Sequence, residues 1–85
     1  MNTNDIIRSF ISSELLQGTG ESVIGDDDQL IESGIIDSLG VMTMLVFLEE
    51  EFSLQIPGED LVPENFASIT AISTLVERQT SKRRK

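Results

Sequence analysis

With 85 residues the chain has room for one small domain and a single modest core. It contains no Cys and no His, which excludes a disulfide framework, a thiolate metal cluster and Ser/His/Asp catalysis, so any thiol chemistry must come from a cofactor. The net charge is -9, and no Lys or Arg lies between Ser9 and Glu77, whereas Arg78, Lys82, Arg83, Arg84 and Lys85 crowd the end; so acidic a body argues against nucleic-acid binding and attracts proteins with basic docking surfaces.

The first helix is expected over residues 4–16, where Ile6, Ile7, Phe10, Ile11 and Leu15 recur at helical spacing. Thr3 is the expected cap, Asp5 suits the helix dipole, and Gln17-Gly18-Thr19-Gly20 ends the helix. Residues 21–37 form a long loop that must be ordered, because Val23, Ile24, Leu30, Ile31, Ile35 and Ile36 are too apolar to leave in water. Gly34 supplies a sharp turn near its end.

The second helix is expected from Ser38 to Glu51 with Asp37 as its cap. Pro57-Gly58 breaks the chain, and Glu59 to Phe66 holds one or two short helical turns around Pro63. A last helix starts near Ser68 and carries Ile69, Ile72, Leu75 and Val76 inward, with Arg78 and Lys82 suiting its C-terminal dipole. The fold class is therefore all-α, and the folded domain is placed at residues 1–79 with a basic, frayed tail over 80–85. The N-terminus shows no signal-peptide pattern and no apolar run approaches membrane-spanning length, so a cytoplasmic protein without membrane contact is expected.

The second helix holds more large apolar residues than one buried face can use. At about 100° per residue, Val41, Met44, Leu45, Leu48 and Phe52 fall on one arc, the core face. Leu39, Met42 and Val46 fall on a second arc flanked by Glu49 and Glu50. Either both arcs are buried against neighbouring helices, or the second is an exposed apolar strip rimmed by carboxylates, a docking surface for a partner with a pocket and basic residues. Leu39 is the member of that strip able to pack inward while Met42 and Val46 stay accessible.

Ser38 sits in the first turn of this helix. With Asp37 as the cap, its hydroxyl is free, and the unpaired amides of the helix start can support an attached phosphate. Asp37 opposes such a group by like-charge repulsion, which points to a separate task such as helping an enzyme place a metal ion.

Asp37-Ser38-Leu39, preceded by Glu32-Ser33-Gly34-Ile35-Ile36 and followed by Leu48-Glu49-Glu50-Glu51-Phe52, resembles the modification motif and second helix of acyl and peptidyl carrier proteins. The likeness runs from the first helix through Ile69 and Leu75. It implies a small four-helix bundle with a long ordered loop between helices 1 and 2 and a short third helix. It also implies phosphopantetheine on Ser38, attached from coenzyme A by a phosphopantetheinyl transferase, with Asp37 and Leu39 completing the attachment motif. The thiol of that arm holds an acyl or aminoacyl group as a thioester and carries it between enzymes. The docking positions implied are Leu39, Met42, Val46, Glu49 and Glu50.

Gly40 and Thr43 stand where fatty-acid carriers usually have acidic residues, and Phe47 stands where a small residue is common and so restricts an interior acyl pocket. With Leu61-Val62-Pro63-Glu64-Asn65-Phe66, these departures resemble the stand-alone carriers of specialised-metabolite pathways, such as non-ribosomal peptide or polyketide synthesis. Those are loaded by an adenylating acyl or aminoacyl ligase and deliver to an acyltransferase, condensation or ketosynthase enzyme. A monomeric carrier that is not itself an enzyme and holds no metal is the expectation. The alternatives are a fatty-acid-synthesis acyl carrier and a cofactor-free acidic helical adaptor, which would not need Ser38. Asp26 and Asp37 have the spacing of the first and last positions of a calcium-binding EF-hand loop, but Leu30 and Ile31 occupy positions that such a loop cannot give to apolar residues, so Asp26-Asp27-Asp28 is read as a solvated, turn-capping run.

Overall fold

The computed structural model describes residues 2–15 and 24–83. Among them are three α-helices: α1 (Thr3–Phe10), α2 (Ser38–Glu51) and α3 (Ile69–Arg83). No helix is long and apolar enough to cross a membrane among these residues.

Helix α1 and its cap each lie one residue earlier than expected. Asn2, not Thr3, accepts the Asp5 amide, at 2.9 Å, and Thr3 is already helical. The α-helix stops at Phe10 and passes into a π-helical turn over Ile11–Leu15, which keeps Ile11 buried beside Ile7. The glycine turn at residues 17–20 and Val23 lie outside the described residues.

The loop from Ile24 to Asp37 is ordered by both burial and polar ties. Ile24, Leu30 and Ile36 are buried, while Ile31 and Ile35 pack partly against the core. The Leu30 amide donates to the Ala67 carbonyl at 2.7 Å, and the Thr70 amide to the Asp26 carbonyl at 3.0 Å, joining the loop to the start of α3. Arg8 donates to the Ile24 carbonyl at 2.9 Å and pairs with Asp5 and Asp26. Asp26 is thus engaged by a cation and half-buried instead of solvated, whereas Asp28 caps the Gly25 amide at 2.8 Å as the turn-capping reading expects. Gly34 has φ of 89°, the left-handed region that glycine enters without a Cβ penalty, and it turns the chain into α2.

The short helical turns expected over Glu59 to Phe66 are two separate 3-10 turns, Gly58–Asp60 and Pro63–Phe66, in place of the short third helix that the resemblance implies. The physical reason is the proline spacing. Pro57 and Pro63 each lack an amide donor, so the stretch between them is too short to nucleate an α-helix. The bundle therefore has three α-helices among the described residues where four were anticipated.

Helix α3 begins where expected, with Ser68 accepting the Ala71 amide at 3.1 Å. Ile69, Ile72, Leu75 and Val76 are buried. Instead of fraying at Thr80, α3 continues through Arg83, helped by Gln79, whose side chain is buried and bonded to Asp60.

Candidate functional site

Helix α2 spans the expected residues and carries the expected cap. Asp37 Oδ1 accepts the Gly40 amide at 2.8 Å, so the cap is Asp37 and the exposed Ser38 hydroxyl is left out of that duty. Gly40 is buried, and a Cβ there would lie 3.2 Å from Ile36 Cγ2; the bare backbone lets Ile36 pack under the first turn. A side chain at Gly40 would press on Ile36 and require it to shift by a few tenths of an ångström.

Ser38 stands at the edge of a groove of about 480 Å³. Ile31, Ile36, Val41 and Met42 line one side of it; Leu61 and Val62, between the two 3-10 turns, and Pro63, which begins the second, line the other. Among the described residues, Asp37 is its one charged lining residue. Sequence reasoning missed Leu61, Val62 and Pro63 as site residues, although their apolar run beside two prolines, belonging to no helix face, was a usable signal.

The two arcs of α2 separate as the wheel assigns them. Met44 and Leu48 are fully buried, and Val41, Leu45 and Phe52 pack partly against the core. On the second arc Leu39 is 74% exposed, Met42 51% and Val46 52%. Leu39 therefore does not pack inward and is the most exposed of the three; within the same capped first turn it is the buried Gly40 that faces Ile36. The strip is real and uncovered.

Glu49 and Glu50 differ sharply. Glu50 is exposed, whereas the half-buried Glu49 accepts the Ile56 amide on its carboxylate at 3.0 Å and the Leu54 amide on its carbonyl at 3.2 Å. Glu49 thus ties the chain leaving α2 to the helix end. With Glu51, they place three carboxylates at the negative end of the helix dipole with no basic residue in the last turn, an arrangement that opposes helix stability.

A family model described as the phosphopantetheine attachment site matches residues 5–76. The chain is 32% identical over 77 residues to the D-alanyl carrier protein of Enterococcus faecalis, covering 91% of this chain and 96% of that protein. It is 27% identical over 79 residues to aminoacyl carrier protein 2 of Bradyrhizobium diazoefficiens, covering 93% and 88%. A chain in the crystal structure of an FAD-dependent dehydrogenase superposes with a TM-score of 0.73 at 27% identity, over 82% of this chain and 97% of that one. An exposed serine at a capped helix start, beside an apolar groove, fits the group that this family bears. The cofactor-free adaptor is accordingly set aside: the chain belongs to the phosphopantetheine-binding family of acyl carrier proteins, with phosphopantetheine as its covalently attached cofactor.

Proposed function

We propose that Ser38 bears the phosphopantetheine and that the chain is a cytoplasmic, monomeric carrier with no catalysis of its own. The observation that carries this reading is the exposure of Ser38 at the groove edge with Asp37 taking the cap. When bound, the group supplies a thiol that holds an acyl or aminoacyl cargo as a thioester. The first-turn amides left unpaired by the cap give the attached phosphate electrostatic support. Asp37 and Leu39 flank the serine for recognition by the transferase.

The docking surface is Leu39, Met42 and Val46, with Glu50 as its exposed acidic rim and Glu49 contributing one flank while it fastens the helix end. Carboxylates that weaken their own helix are retained most economically for a partner with basic residues. The partners are a phosphopantetheinyl transferase, an adenylating ligase, and a downstream acyltransferase, condensation or ketosynthase enzyme. Likeness to a chain in an FAD-dependent dehydrogenase structure supports adding a flavin enzyme to these partners.

The cargo is an amino acid or small carboxylic acid, as the aminoacyl and D-alanyl names of the relatives support; the pathway is a specialised-metabolite one on the reading of Gly40, Thr43 and Phe47 in the sequence. Top-down mass spectrometry of the chain isolated from its native cells tests this through the masses of the groups ejected with the arm. An amino acid or short acid is the expected result. A ladder of long fatty acyl groups contradicts it in favour of fatty-acid synthesis.

A further inference from the structure

Between Ile56 and Phe66, both buried, no side chain of the intervening segment is fully buried, yet this segment supplies Leu61, Val62 and Pro63, the wall of the groove opposite α2. Hydrophobic burial holds its two ends; Leu61 alone packs partly against the core between them. The position of the wall therefore depends on polar contacts: the Leu61 amide donates to the Gly58 carbonyl and the Asn65 amide to the Val62 carbonyl, each at 3.0 Å, while the side-chain contacts converge on Asp60. The Asp60 carbonyl accepts from Asn65 Nδ2 at 2.8 Å, which closes the segment on itself. Across to α3, Asp60 Oδ2 accepts from Gln79 Nε2 at 2.7 Å, while Arg78 stands 4.0 Å from Oδ1.

The two α3 contacts are unequal. Arg78 is half-exposed and at the limit of ion-pair distance, a geometry in which solvent removes most of the attraction. Gln79 is 4% exposed, and its bond is made to a carboxylate. If the segment swung outward, the Gln79 amide would be left buried without its acceptor, a penalty larger than the net gain of an ordinary hydrogen bond.

We propose that Gln79, through Asp60, is the positioning residue that holds the Leu61–Pro63 wall in place and so fixes the groove in which the phosphopantetheine arm rests. This rests on the reading of Ser38 as the attachment point. It assigns a role in the carrier site to a residue on α3 that belongs to neither the attachment motif nor the docking strip.

The test uses the wild type, Gln79→Met, Asp60→Ala and Asp60→Asn, each modified by a broad-specificity phosphopantetheinyl transferase with coenzyme A carrying a dansyl label on its thiol. Intact mass is read first; absence of label on the wild type overturns the Ser38 reading and this proposal with it. Hydrogen exchange and dansyl emission are then measured on the labelled proteins. Gln79→Met and Asp60→Ala are expected to exchange residues 57–65 at least fivefold faster and to shift emission toward that of the free label, with α1 and α2 unchanged. Asp60→Asn, which keeps an acceptor for Gln79, stays close to the wild type. Emission that is unchanged in both disrupting variants, or exchange that accelerates equally across all three helices, overturns the proposal: the first shows that the arm does not rest on this wall, the second that Gln79 serves only the fold.

Discussion

Phe10 on α1 and Phe47 on α2 stack with ring centroids 4.0 Å apart and 14° between their planes. Neither is fully buried, yet the pair joins two helices across the seam where fatty-acid carriers commonly have a small residue in place of Phe47. Removal of the ring in Phe47→Ala is expected to cost about 2 kcal/mol, below the range for a fully buried aromatic because half-exposed surface loses less on truncation. Urea unfolding with an unchanged m-value measures it; a loss under about 0.5 kcal/mol would show that the stack contributes little.

Glu49 and Glu50 are adjacent, and the structure gives them opposite dependencies. Glu49→Ala leaves the Ile56 amide without its carboxylate and is expected to destabilise by about 1–2 kcal/mol. Glu50→Lys is expected to leave stability within about 0.5 kcal/mol, or improve it slightly by relieving the helix dipole, while slowing loading by the adenylating ligase. Equal unfolding midpoints for the two variants would contradict this division.

Ser53 follows α2 with φ of 53°, and the Leu54 amide reaches back to the Glu49 carbonyl at 3.2 Å, so a left-handed helix end is built on a residue with a Cβ. Ser53→Gly is expected to raise stability by about 0.5–1 kcal/mol, since relief of the left-handed strain outweighs the added freedom of the unfolded chain. Thermal unfolding reads the sign directly.

Met42→Asp and Val46→Asp place charge on side chains that are already half in water, so their melting temperatures should match the wild type. Their loading by the ligase should fall by about tenfold or more, as expected when a central apolar contact of an interface is lost. Loading of the wild type should weaken as salt rises, because the acidic rim is solvent-exposed. Unchanged loading kinetics in both variants would remove the strip from the docking surface.

The second helix was legible in the sequence because its signals are local: a capping aspartate and a 3.6-residue period. The two apolar arcs were legible for the same reason, but whether the second was buried or exposed was not. What escaped was set by neighbours in space. The wheel gives Leu39 an angle but cannot show that Gly40 and Ile36 occupy the space beneath the first turn, which leaves Leu39 outside. Likewise Glu49 looked like a rim carboxylate until the returning chain brought the Ile56 amide to it. The groove wall at Leu61–Pro63 and its tie to Gln79 span 19 positions between Asp60 and Gln79, and no local pattern encodes such a pairing.

The most direct measurement is the intact mass of the purified chain before and after incubation with coenzyme A, magnesium and a broad-specificity phosphopantetheinyl transferase, with Ser38→Ala treated alongside. A gain of one phosphopantetheine in the wild type and none in Ser38→Ala is the predicted result. Modification that persists in Ser38→Ala, or none in the wild type while a known carrier is modified in parallel, would contradict Ser38 as the attachment point.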